Sequence, residues 1–150
     1  MTGVQTCALP ISHLGAQAVI GALPLSCDAR AGLRWLDHRS GNQSARDPHV
    51  LDLFERGVIS EALLIDWRNE GQRSAFDEAV VTGLPLSGVP LIVFGGLSEV
   101  EQHGRLLALP AVTATAVGNF LAYREHAVQA LKAGLAGLPL RPPTYAAAAA

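Results

Sequence analysis

Apolar positions along this chain change period repeatedly. Short runs rich in aliphatic and β-branched residues occupy 16–25, 62–65, 89–94 and 112–117, and each predicts a strand. Between them the apolar spacing widens to three or four residues, which predicts helices. Asp47-Pro48 opens the first helix, because Asp caps and Pro is tolerated at the first helical position. Val50, Leu51, Phe54 and Val58 give that helix an apolar face, and Gly57 marks its end. Further helices are expected at 77–81, 98–109 and 123–135, the last with Ala127, Ala130, Leu131, Gly134 and Leu135 on one side. Turn residues around Leu33-Arg34-Trp35-Leu36 suggest a small hairpin within 29–41, and 66–76 is a charged, polar loop. The Pro-rich 138–145 cannot prolong the last helix, and the five alanines after it suit a frayed tail.

Four strands each followed by a helix argue for an α/β fold with a parallel sheet and right-handed crossovers. An open, doubly wound sheet and half of a (β/α)8 barrel share this grammar, so periodicity leaves both open. No solenoid-type repeat is visible.

Two strand ends carry candidate chemistry. The run Val89-Pro90-Leu91-Ile92-Val93-Phe94 meets Gly95 and Gly96, then Ser98 with Glu101 three residues on, the spacing of a capping box. Glycines let backbone approach a ligand closely, and the amides of a helix start favour an anion. Some twenty residues later Ala114-Thr115-Ala116-Val117-Gly118-Asn119 repeats the plan. Two such ends on consecutive strands are how a (β/α)8 barrel builds a phosphate site. The alternative for Gly95, Gly96, Gly118 and Asn119 is a pair of tight strand-to-helix turns.

Composition narrows the function classes. The 150 residues are 49% hydrophobic and 16% charged, which suits strands buried on both faces. A net charge of -2 supplies no basic footprint for nucleic acid, and no apolar run is long enough to cross a bilayer. Residues 1–11 resemble the translation of a sequencing-adapter oligonucleotide and lack the form of a secretory signal. On that reading Cys7 drops out and Cys27 remains alone, which fits a reducing, cytoplasmic setting. The remainder, 12–137 with a tail at 138–150, is about half of a typical barrel of roughly 250 residues, so a fragment is expected.

In their order the segments resemble the cyclase subunit family of imidazole glycerol phosphate synthase. Glu61 to Asp77, with Ile65-Asp66-Trp67-Arg68-Asn69-Glu70-Gly71-Gln72 at its centre, resembles its sixth strand and loop. Val89 to Gly96 resembles the seventh strand, Ala116 to Glu125 the eighth, and Ser40-Gly41 a Ser-Gly pair after the fifth. The resemblance implies the C-terminal half of a (β/α)8 barrel, with Gly71, Gly95, Gly96, Gly118 and Asn119 binding phosphate. It implies a lyase of histidine biosynthesis that takes ammonia from a glutaminase partner and closes a ring on a bisphosphorylated, ribonucleotide-derived substrate. No metal or organic cofactor is implied, and neither nucleic acid nor membrane is a partner.

The chain also departs from the family. Its catalytic pair are aspartates at the ends of strands one and five. Strand one is absent, and the strand-five aspartate falls on Ser26, with Asp28 two residues on. Ser is a poor general base without another base to activate it. The loop aspartates fall on Arg68 and Glu70, and the following Thr on Gln72. Asp28 and Glu70 are therefore the catalytic candidates, set against a turn-closing role for Asp28 and a solvated loop carboxylate for Glu70. The departures favour a divergent paralogue, of the kind that serves surface-glycan or amidino-sugar synthesis, or a non-catalytic phosphate-binding or scaffolding subunit. His38, His49, His103 and His126 lack metal-ligand spacing and are assigned to the surface. Cys27, Trp35 and Trp67 are assigned to packing.

Overall fold

The computed structural model describes residues 15–45, 48–122 and 125–140. Six strands form one sheet: β1 (Ile20–Asp28), β2 (Gly32–Leu36), β3 (Gln43–Ser44), β4 (Glu61–Asp66), β5 (Leu91–Phe94) and β6 (Val112–Thr115). Among the described residues four helices accompany them: α1 (Pro48–Glu55), α2 (Ala79–Thr82), α3 (Val100–Leu107) and α4 (Ala127–Gly134). The chain is thus α/β with a mostly parallel sheet.

The spatial order is β3-β2-β1-β4-β5-β6. β1, β4, β5 and β6 are parallel neighbours, while β2 and β3 fold back antiparallel as a hairpin on the β1 edge. The parallel strands follow one another across the sheet in chain order, with no reversal. A doubly wound sheet reverses its strand order at a switch point. Without a reversal, right-handed crossovers place successive helices on one face.

Burial follows that geometry. Register aligns Gly21 with Ala62, Leu23 with Leu64, Ala62 with Leu91 and Leu91 with Val112. On this face Leu23, Leu25, Ala62, Leu64, Leu91 and Val93 are almost fully shielded. α1 covers it with Leu51, Leu53 and Phe54, and α2 with Val80 and Val81. The alternate residues Leu63, Ile65, Ile92 and Phe94 are only half-buried, and Ala22 is exposed. At Gly21 a Cβ would lie 2.6 Å from the Phe54 ring, so α1 docks where β1 lacks a side chain.

Several expected boundaries shift. The first strand starts at Ile20 rather than 16, because a 3-10 turn takes Ala16–Ala18. The third helix begins at Val100 with Glu99 as its N-cap, and Gln102, not Glu101, folds back to the helix start. The last helix runs over Ala127–Gly134 behind His126, which adopts a left-handed φ of 54°; Tyr123 and Arg124, where its start was expected, lie outside the described residues. Residues 1–11, the capping Asp47 and the tail from 141 onward lie outside the described residues.

His103 is a correction. It has no exposed surface: it sits on the inner side of α3, where its Nδ1 lies 2.8 Å from Thr115 Oγ1 of β6. Burial holds its pKa below the ordinary imidazole value, because the interior disfavours the charged ring.

Candidate functional site

The C-terminal ends of β4, β5 and β6 surround a cavity of about 320 Å3. Glu70, Gly71, Gln72 and Arg73 form one wall, from the loop after β4. Phe94 to Ser98 form the second wall, and Ala116 with Gly118 to Phe120 the third. Among the sequence candidates, Glu70, Gly71, Gly95, Gly96, Gly118 and Asn119 therefore share one cavity.

The long loop is tied down at its base and its side. Asp66, buried at the end of β4, accepts hydrogen bonds from Asn69 Nδ2 at 2.7 Å and from the Asp77 N–H at 2.9 Å. Burial raises the Asp66 pKa, and these two donors oppose the rise. Further along, the Ser74 N–H donates to Ser98 Oγ at 3.1 Å, and the Ala75 N–H donates to the Gly96 carbonyl at 3.0 Å. Ser74 adopts a positive φ of 55° there, a strained choice for a residue with a side chain. The loop wall is thus fixed against the glycine turn before any ligand arrives.

The glycines have specific reasons. Gly95 has φ of 109° and Gly96 φ of 69°, a backbone region L side chains rarely enter. A Cβ on Gly95 would come within 2.5 Å of the Asp66 carbonyl oxygen, and one on Gly96 within 2.8 Å of the Asn69 carbonyl oxygen. The absent side chains therefore admit the neighbouring loop, and the backbone itself becomes cavity wall. The N–H groups of Gly95 and Gly96 find no hydrogen-bond partner among the described residues. Gly71, at φ 78°, stands opposite Asn119: a Cβ there would sit 3.4 Å from Asn119 Nδ2.

The start of α3 contributes less than expected. Gln102 Oε1 accepts from the N–H groups of Ser98, at 3.2 Å, and Glu99, at 3.4 Å. These two donors are consumed internally, which leaves the anion-facing role to the glycine amides and to side chains.

Asp28 lies apart from the cavity. Its Oδ1 accepts from the N–H groups of Arg30 and Ala31, each at 2.9 Å, and closes the turn between β1 and β2. Those donors, Ala31 foremost, lower its pKa. Ser26 is buried in β1, and its Oγ has no partner among the described residues; the indole N–H of Trp67 shares that state. Trp35 is a core residue, and Trp67 carries the Arg68 guanidinium 5.5 Å from its ring centre.

Sequence reasoning missed Arg73, Phe94 and Phe120 as cavity residues. Arg73 is three residues from Glu70 on the same loop, which was a usable signal; the two phenylalanines were indistinguishable from core. The cavity combines an aromatic floor with a carboxylate, a guanidinium, two amide side chains and free backbone donors. Such a mixed lining suits a small polar ligand bearing an anionic group. Among the described residues no three His, Cys, Asp or Glu side chains gather as a metal site, and no helix is long and apolar enough to cross a membrane. No protein-family model matches the chain, and no curated protein does either.

Proposed function

We propose that this chain binds a phosphorylated small molecule at the mouths of β4, β5 and β6, as part of a (β/α)8 barrel of the cyclase-subunit kind. The observation that carries the reading is that Gly95 and Gly96, whose amides have no partner among the described residues, line the cavity together with Gly118 and Asn119. The unreversed strand order supports a barrel wall over a doubly wound sheet. On this reading the partner is a glutaminase that supplies ammonia, the substrate is a phosphoribosyl compound, the setting is cytoplasmic, and Glu70 is the carboxylate nearest the reacting groups.

Titration calorimetry with ribose 5-phosphate tests the binding step. Asn119→Ala should weaken binding about tenfold, as expected for losing one hydrogen bond to a charged group, roughly 1.5 kcal/mol. Absence of heat with ribose 5-phosphate and with inorganic phosphate sinks the proposal.

Ser26 favours a second reading, a phosphate-binding subunit without catalysis. At the position that the resemblance gives to the strand-five aspartate, it offers a buried hydroxyl with no hydrogen-bond partner among the described residues. Ser26→Asp should then produce some ammonia-dependent turnover of a phosphoribosyl substrate; a folded variant without any gain argues against it.

A further inference from the structure

The cavity wall holds one cation among the described residues, Arg73, and that cation is already engaged. Its Nη2 lies 2.7 Å from Glu99 Oε1 and its Nε donates to the same oxygen at 2.8 Å. Both contacts converge on a single carboxylate oxygen, to which Ser98 Oγ also donates at 3.3 Å. A guanidinium carries five N–H donors in a planar fork. Its Nη1 edge therefore has no partner among the described residues, and the side chain is 71% exposed. Glu70, on the same wall, adds a carboxylate with no hydrogen bond or ion pair to a described residue. With Arg73 paired to Glu99 and Glu70 on the same wall, the charged side chains of the resting lining give no net positive charge among the described residues.

We infer that Arg73 is the anion-reading side chain of this site, and that Glu99 is its intramolecular competitor. The inference rests on the phosphate reading above and adds a specificity residue and a means of restraint. A phosphate held by the Gly95 and Gly96 amides takes the free Nη1 edge first. It then draws the fork away from Glu99, because a bidentate phosphate contact satisfies guanidinium geometry better than two donors on one oxygen. Glu99 keeps its place at the start of α3 throughout, so the exchange moves one long side chain and no backbone. Ion pairs this exposed are weak and easily traded.

The test is a cycle of Arg73→Gln, Glu99→Gln and the double variant, titrated with inorganic phosphate and followed by calorimetry. Gln at 99 retains an acceptor for the helix start and removes only the charge. Glu99→Gln should tighten phosphate binding about fivefold, and Arg73→Gln should weaken it about tenfold. In the Arg73→Gln background, Glu99→Gln should change affinity less than twofold. Arg73→Lys, which keeps charge without the fork, should fall between wild type and Arg73→Gln. Equal affinity for wild type and Arg73→Gln overturns the inference while leaving the phosphate site standing. So does a Glu99→Gln gain that persists without Arg73, since Glu99 would then act only as a nearby charge. No binding by wild type or Glu99→Gln removes the phosphate reading and this inference together.

Discussion

The two faces of the sheet are made from the same strands and meet different surroundings. In β4, Ala62 and Leu64 point to the helices and lose all contact with water, while Leu63 and Ile65 on the reverse remain half-buried. β5 repeats the contrast, with Leu91 and Val93 shielded and Ile92 and Phe94 partly open. Strands of a purely amphipathic sheet would carry polar residues on the open side. Here the reverse face is aliphatic and aromatic, the composition of a surface that another layer covers. At the C-terminal end of that face, Phe94 becomes the floor of the cavity. The lesson is that the helix-covered face holds the fold together, while the reverse face keeps apolar surface partly open to water.

Substitutions at paired positions separate the two faces most sharply. Leu64→Ala should cost about 3 kcal/mol in urea unfolding, as for a fully buried leucine, whereas Leu63→Ala should cost less than about 1 kcal/mol. Equal losses would show that the reverse face is covered in solution. A second expectation concerns association: β6 has one strand neighbour among the described residues, and unpaired edges with apolar faces associate. The chain should sediment as dimers or larger species, and Ile65→Lys should shift it toward monomer. A well-behaved wild-type monomer in the ultracentrifuge defeats this expectation.

Acid should act on the covered face through His103. Its folded pKa is depressed by burial, so the neutral ring favours the folded state. Stability is fully present above the unfolded value, roughly 6.5, and declines as pH falls from there toward the lower folded value. One proton limits the slope to about 1.4 kcal/mol per pH unit. Urea midpoints at pH 7.5 and 5.5 measure it, and His103→Gln should flatten that limb. The smallest effect is expected at Asp28: Asp28→Asn, at a turn remote from the cavity, should leave ribose 5-phosphate affinity within twofold of wild type.

Much of this arrangement was legible in the chain. The four parallel strands, the hairpin beside Trp35 and the polar loop at 66–76 follow from apolar runs and turn residues, which are local signals. The gathering of Gly95, Gly96, Gly118 and Asn119 followed from two strand ends built alike, while Gly71 was placed with them only by the family resemblance. Strand order was not legible, because periodicity says nothing about which strand pairs with which. His103 escaped because one imidazole in a helix looks the same whether it faces water or, as here, Thr115 of β6. The cap of α3 slipped by one residue because Ser98 and Glu99 can both cap, and Ser98 is recruited instead by Ser74 across the loop. Arg73 had a local signal in its spacing from Glu70, but its pairing with Glu99 spans 26 residues and was not legible.

Gly21 carries a consequence of its own. Position 21 acts as a shim between the first strand and the helix that crosses over it, and its thickness is set by the ring at position 54. Adding even one methyl group to the strand would lift that helix unless the ring were trimmed. Across lineages the two sites should therefore drift as a coupled pair, a larger residue at 21 tracking a smaller one at 54, with the distant ligand cleft left untouched.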